Sequence, residues 1–366
     1  MSSEGVRVAV VMGGLSAESD VSRKTGECVT QALARNYLVK PVALHDDGAW
    51  TVPAGFVGHG LHPDPTTWFQ GEPQPLLPAL TSLKSDNVDV VFNALHGPWG
   101  EDGTVQGLFR YAGLPFTGPD VVPAAVTMDK CFTKDVLRGA GIATPRWVIL
   151  PDDGHLNWRG WVDEQSAKVP FPWVVKPRRL GSSVGVEFFS TPEKFLDWIE
   201  ARSHRAVSRG RNDLSVPEYL VEEVARGREL SCGVLETDAS CRALPPIEIR
   251  PRTSSFFDYH AKYTPGACED ICPAPLRPAE TAAVQELSVA VHRLFGCAPL
   301  SRTDLFLTED GTLTVLEINT LPGMTETSLI PLSAGKARIS FEELLGSLLD
   351  HALRRARLPV FPQVLS

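Results

Sequence analysis

The chain has 366 residues, 43% of them apolar, which allows two or three domains with a sizeable core and argues against wholesale disorder. Its formal charge is −9 with acids and bases interspersed, which disfavours a nucleic-acid partner. Seven scattered Cys, of which only Cys268 and Cys272 lie close together, complete no zinc set and read as reduced thiols; with no charged leader and no long apolar run, no membrane partner is expected and the expected localisation is cytoplasmic.

Residues 6–12 (VRVAVVM) are a continuous apolar run, as in a buried parallel strand. The turn GGLSAE, ending at Glu18, leads into a helix through residues 21–33. A glycine turn between strand and helix is a usual ligand position in an open α/β sheet. Glu18 equally suits the first helical turn as a dipole partner. Residues 37–44 form a second strand, and 46–78, rich in Gly, Pro and His, read as loops with a lid-like insertion. Residues 88–94 are a further buried strand ending in HGPWGEDG, before a helix over 104–111. Glu101 and Asp102 there are either ligand groups at a strand's carboxyl end or helix N-terminal acids. Turn chemistry at 114–119 closes the first unit. One helix is expected over 122–139, carrying Lys130; a lone Lys on a helix is normally solvated.

Residues 173–176 (WVVK) are a strand ending in Lys176, followed by the small-residue loop LGSSVG. Such a loop converges backbone N–H groups on phosphate oxygens, or is a plain hairpin turn. It is not a Walker A loop. Residues 219–224 (YLVEEV) are a strand carrying Glu222 and Glu223. A short turn ending at Glu229 leads to a strand over 230–235, a pattern that by itself says hairpin. Residues 254–263 (SSFFDYHAKY) crowd aromatics around Lys262 and Tyr263, and 278–295 and 341–357 are amphipathic helices.

The most informative stretch is 301–329, SRTDLFLTEDGTLTVLEINTLPGMTETSL. Asp310-Gly311 between alternating apolar residues predicts a two-residue hairpin turn, with Glu309 opposite Thr312. Asp304 then faces Glu317, and Arg302 faces Asn319, all on one side. Leu305, Leu307, Leu316 and Ile318 lie on the other, core side. Facing carboxylates have Cβ atoms roughly 5 Å apart and repel. A divalent cation relieves that repulsion, and two carboxylates with the Asn319 amide are hard ligands suited to Mg²⁺. The alternative is a solvated face with an Arg302 ion pair.

These motifs, with MDK at 128–130, resemble in order the D-alanine–D-alanine ligase family of the ATP-grasp fold, from residue 6 to about 349. The resemblance implies an α/β (α+β) architecture of three domains, taken as 1–118, 119–221 and 222–366. The first has an open parallel sheet, and nucleotide is held between the other two. It implies ATP and two Mg²⁺ ions (or Mn²⁺) as cofactors, a homodimer, and synthesis of D-alanyl-D-alanine through an acylphosphate for peptidoglycan precursors. By the same resemblance Asp304, Glu317 and Asn319 hold metal. Lys130, Lys176 and Lys262 contact phosphates. Glu222, Glu223, Val224 and Glu229 surround adenine and ribose. Glu18 anchors the first substrate's ammonium, Arg302 and the Gly323 amide hold the oxyanion, and Ser328 meets the second substrate's carboxylate. Ser182, Tyr263 and Glu101 pin the lid. Ser19-Asp20, Trp99, Phe257, His260 and Leu305 depart from the family's commoner residues. The retained Lys262-Tyr263 favours an amine acceptor. Two other readings stand beside this one: a sister ligase with a different acceptor, and a nucleotide-binding regulator without catalysis.

Overall fold

A computed structural model of the chain describes residues 5–58, 71–151, 157–181, 184–207, 218–237, 240–251 and 268–357. The first layer grows from β1 (Arg7–Gly13), whose apolar run is buried almost throughout. The chain continues through α1 (Ser19–Leu33), β2 (Leu38–Leu44), β3 (Trp50–Thr51), α2 (Leu76–Ser85), β4 (Val90–Asn93) and α3 (Thr104–Tyr111). The sheet order is β3-β2-β1-β4, with β1 parallel to both β2 and β4. The short β3 and the start of α2 fall inside the stretch expected to be loops.

Gly13 ends β1 at φ +95°, and a Cβ there would stand 2.3 Å from the Leu44 carbonyl oxygen, a backbone atom. A side chain at this left-handed position meets both strain and a clash that no rotamer relieves. Gly13→Ala is expected to destabilise the chain by about 3 kcal/mol, read as a lower urea midpoint. A loss under about 0.5 kcal/mol would contradict the close approach.

The expected helix over 122–139 is in fact two, α4 (Val121–Met128) and α5 (Lys130–Gly139). Asp129 breaks it in an extended conformation, and its carboxylate accepts from the Cys131 and Phe132 N–H groups as the cap of α5. Arg178 and Arg179 hold the same carboxylate at 2.8 and 2.9 Å.

The middle sheet is β5-β8-β6-β7, antiparallel throughout. Its elements are β5 (Trp147–Ile149), α6 (Trp158–Ser166), β6 (Trp173–Pro177), β7 (Glu187–Phe189), α7 (Pro192–Val207) and β8 (Tyr219–Glu223). Trp158, Trp173, Phe189 and Phe195 form its core.

The third sheet is β12-β11-β9-β13-β14, with β10 added on β9. It comprises β9 (Arg228–Thr237), β10 (Ser240–Ala243), β11 (Ile247–Pro251), β12 (Cys268–Ile271), β13 (Leu300–Leu307) and β14 (Leu313–Asn319), with α8 (Pro278–Leu294) between β12 and β13. Residues 219–235 are therefore not a hairpin: β8 and β9 belong to different sheets, and 224–227 cross between them. After β14 come α9 (Leu329–Lys336) and α10 (Phe341–Arg357). Leu344, Leu345 and Leu348 of α10 pack with Val8 and Val10, so the last helix closes on the first sheet. Each such Leu contributes about 2 kcal/mol by burial, which ties the end of β14 to the N-terminal layer. Among the described residues, no helix is long and apolar enough to cross a membrane.

The β13–β14 hairpin differs from expectation in two places that cancel. Its loop has three residues, not two: Thr308 N–H donates to the Thr312 carbonyl, and Gly311 N–H at φ +87° donates to the Thr308 carbonyl. Thr308, not Glu309, therefore faces Thr312. Leu305 pairs with Val315, but Asp304 pairs with Glu317, so Leu316 is an extra residue in a β-bulge. The bulge restores the expected register beyond it: Asp304–Glu317 and Arg302–Asn319. Val315, not Leu316, enters the core, while Leu316 turns to the cleft. The Val315 N–H donates to the Ala143 carbonyl at 2.8 Å, which ties β14 to the segment leading into β5.

Candidate active site

The Gly-rich turn after β1, the loop after β4 and the small-residue loop after β6 meet at Glu18. This residue is 6% exposed at the N-terminus of α1 and caps nothing with its side chain. A Cβ on Gly97, at φ +72°, would stand 2.4 Å from its Oε2, and one on Gly181 would stand 3.0 Å from it. Both loops thus pass directly against the carboxylate, and Gly97 also holds a left-handed backbone that favours glycine. Ser16 Oγ donates to the His96 carbonyl at 2.7 Å, joining the first two loops.

Glu101 lies beside Glu18 and accepts from the Gly97 N–H at 2.7 Å. Burial and the neighbouring Glu18 charge push its carboxyl up to about 8. Burial and Arg302 push His96 down to about 4, so its imidazole is neutral near pH 7. Arg302 grips Asp304 with two hydrogen bonds, Nε to Oδ1 at 3.0 Å and Nη2 to Oδ2 at 2.8 Å. Ser231 Oγ donates to Asp304 Oδ1 at 2.6 Å. Burial works against the guanidinium's charge, and Asp304 more than offsets it, so its pKa lies above the ordinary value. The ion pair considered as the alternative in the hairpin is thus present.

Glu317 and Asn319 open into a cleft that is also lined by Glu101, Lys130 and Gly181. Asn319 Oδ1 accepts from the Leu321 N–H at 2.9 Å, which fixes the amide. Lys130 is not solvated: its Nζ donates to the Leu180 carbonyl. Burial depresses its ammonium, while Glu317, Glu222 and Glu18 support it.

Behind this cleft Lys176 on β6 pairs with Glu222 on β8, and Lys134 on α5 pairs with the same carboxylate at 2.9 Å. Lys134 is fully buried and sequence reasoning passed over it. The signal was its place on the buried stripe with Cys131 and Leu137. Glu222 is 3% exposed, so its side chain faces these lysines. The Glu223 side chain goes to Arg146 instead, accepting at 2.9 and 2.7 Å. The Val224 N–H donates to the Pro172 carbonyl at 3.2 Å. Glu229 is buried on β9 opposite Phe306. Gly323 lies against Ser328, whose Oγ accepts from the Thr325 N–H at 3.1 Å, at the start of α9. Ser182, Lys262 and Tyr263, with Phe257 and His260, lie outside the described residues.

A parallel first sheet, an antiparallel middle sheet and an antiparallel third sheet, with Lys130 of α5 and Glu317 and Asn319 of the third sheet sharing one cleft, make an ATP-grasp fold; solved structures superpose over nearly the whole chain. Among them are the D-alanine–D-alanine ligase of Bacillus anthracis complexed with ATP (28% identity, TM-score 0.71, 96% of this chain and 99% of that one). The VanG D-Ala:D-Ser ligase of Enterococcus faecalis is another (27% identity, TM-score 0.74, 95% and 100%). The D-alanine–D-alanine ligase of Streptomyces griseus is 36% identical over 380 residues, covering 96% of this chain and 93% of that relative. The families described as D-ala D-ala ligase N-terminus and D-ala D-ala ligase C-terminus match residues 7–119 and 136–350. The chain belongs to the D-alanine–D-alanine ligase family.

Proposed function

We infer that the chain is an ATP-dependent ligase that joins two D-alanine molecules through an acylphosphate, for peptidoglycan precursors. The observation that carries this reading is the meeting of Glu101, Lys130 and Glu317, from three separate segments, around one cleft, with the charges of Glu18 and Arg302 acting on Glu101 from beside it. A carboxylate is a poor electrophile, and its phosphorylation needs positioning and charge neutralisation more than covalent help.

Glu18 anchors the ammonium of the first D-alanine. Lys130 and Lys176 meet the ATP phosphates, and Glu222 positions Lys176 from behind rather than touching ribose. Arg302 and the Gly323 N–H receive charge on the tetrahedral carbon's oxygen. Ser328 meets the second carboxylate. Glu223, Val224 and Glu229 border the nucleotide, with Lys262 supplying a further phosphate contact, and Ser182 and Tyr263 serve the lid with Glu101.

The donor set fits Mg²⁺, or Mn²⁺: Glu317 and Asn319 face the cleft, and Asp304 stands across from Glu317 in register. Asp304 keeps Arg302 and Ser231 as its partners, so a bound metal would have to share its carboxylate with these donors. Two such ions supply neutralisation of phosphate charge when bound.

Three units, 1–118, 119–221 and 222–366, are the proposed domains. One sheet in each supports them, with β8 running two residues past the second boundary and α10 packing on the first. A cytoplasmic homodimer is the form the family resemblance favours. The deciding experiment is a panel of D-alanine, D-serine and D-lactate acceptors with ATP and Mg²⁺, scored by product mass. D-alanyl-D-alanine as the main product is expected; turnover only with D-serine or D-lactate moves the chain to the sister-ligase reading, for which the VanG likeness is the motive.

Glu101 keeps its proton at neutral pH and leaves the cleft with one buried negative charge fewer. Activity that depends on this falls as pH rises through about 8, where Glu101 ionises against Glu18. Glu101→Gln, which cannot ionise, is expected to flatten that alkaline limb of kcat/KM. An unchanged limb would assign it to another group.

A further inference from the structure

At the end of the third sheet away from the cleft, β9, β10 and α8 bring three metal-type donors together. Glu236 on β9 faces Cys241 on β10 across the hairpin. His292 of α8 comes from below, with Nε2 3.3 Å from Glu236 Oε2. One carboxylate oxygen, the Cys241 sulfur and one imidazole nitrogen all lie within 4.8 Å of one another. The sequence reading sought close Cys pairs and passed over this set, because its members are spread over three elements.

We propose that Glu236, Cys241 and His292 form a binding site for a thiophilic divalent cation of the Zn²⁺ type, which ties the β9–β10 hairpin to α8. Thiolate, imidazole and carboxylate in one small group are the borderline-soft set that selects Zn²⁺ over Mg²⁺. Three protein ligands leave a fourth tetrahedral position for water, on the side where Glu236 is 39% exposed. The second shell is built. His292 is 1% exposed, and its Nδ1 lies 2.8 Å from Ser301 Oγ, itself fully buried on β13. With its proton on Nδ1 the ring donates to Ser301 and presents the Nε2 lone pair to the site, the arrangement that orients metal-binding histidines. Burial holds the ring neutral, as a ligand must be. Burial and Glu236 hold the Cys241 thiol above its ordinary value, with Arg293 acting the other way. Binding therefore forms the sulfur–metal bond and releases the thiol proton to solvent. From Ser231, beside the cleft, to Glu236 the strand runs roughly 17 Å, so the site is separate from the ATP-dependent chemistry and does not rest on it.

The test uses the full-length chain, stripped with a chelator and held in excess Mg²⁺ to occupy hard-ligand sites. Titration with Co²⁺ alone is expected to give one ion per chain, a thiolate-to-cobalt charge-transfer band, and proton release; Zn²⁺ then displaces the Co²⁺. Cys241→Ser removes the band, and Cys241 is half-buried at a hairpin, so far-UV circular dichroism stays that of the parent. Ser301→Ala keeps all three ligands and loses only the group that orients the ring, so Zn²⁺ affinity falls by about 10- to 100-fold. No thiolate band in the parent chain, or a band that survives in Cys241→Ser, overturns the site. Unchanged affinity in Ser301→Ala overturns the second-shell part of the proposal.

Discussion

Glu317→Ala is expected to cut phosphate release with ATP, Mg²⁺ and D-alanine by about 1000-fold or more, with unfolding free energy within about 1 kcal/mol of the parent. The side chain is half-buried at the cleft and belongs to none of the apolar clusters, so its loss leaves packing intact. Its charge does two jobs. It stands opposite Asp304, where metal and phosphate charge are to be balanced. It also gives Lys130 its largest support against burial, ahead of Glu222 and Glu18. Removing it leaves an ammonium whose proton is held less firmly, beside phosphates it is meant to meet. Glu317→Gln separates shape from charge. It keeps the volume and loses the charge, and it is expected to be nearly as inactive as the Ala variant. Activity within about tenfold of the parent in both variants would remove Glu317 from the chemistry and the metal reading with it.

The reason Glu317 was legible at all lies in the hairpin's period. Alternation along residues 301–319 places Arg302, Asp304, Glu317 and Asn319 on one face, and that holds at the cleft end. The prediction survived two errors of one residue because the longer loop and the Leu316 bulge shift the register in opposite senses. A bulge depends on tertiary partners, here the Ala143 carbonyl that accepts from the N–H of Val315, next to the extra Leu316, and no local pattern encodes that partner. The same limit explains residues 219–235. Strand, short turn and strand describe a hairpin and a crossover between sheets equally well, and the choice is tertiary. Asp129 was readable as a cap by its chemistry, but the apolar period runs through it and hides the break between α4 and α5. Lys134 shows the converse case. Its burial contradicts the usual fate of lysine, and its partner Glu222 lies far along the chain on another element.

Glu222→Ala is expected to cost about 3–5 kcal/mol of stability, the largest loss among these predictions. The carboxylate is 3% exposed and stands between the Lys134 and Lys176 ammonium groups, joining α5, β6 and β8. Lys134 also donates to Thr144 Oγ1 at 3.0 Å, but a neutral hydroxyl does not replace a charge. Without Glu222 two buried ammoniums repel, and Lys176 already works with burial to hold Lys134 below its usual value. Lys134→Met removes one of the two charges. The double change Lys134→Met with Glu222→Ala is therefore expected to be less unstable than Glu222→Ala alone, an interaction that a double-mutant cycle reads directly. Acid gives the same information without mutation. Burial raises the Glu222 carboxyl, but Lys134 and then Lys176 pull it below the ordinary 4.5 in the folded chain. The unfolded chain then takes up this proton first. The stability it supplies is full above 4.5 and drains as pH falls below that value toward the folded pKa. In the Ala variant this part of the acid dependence is gone. Equal urea midpoints for Glu222→Ala and parent at pH 7, with parallel acid limbs, would show that the buried lysines find their balance elsewhere.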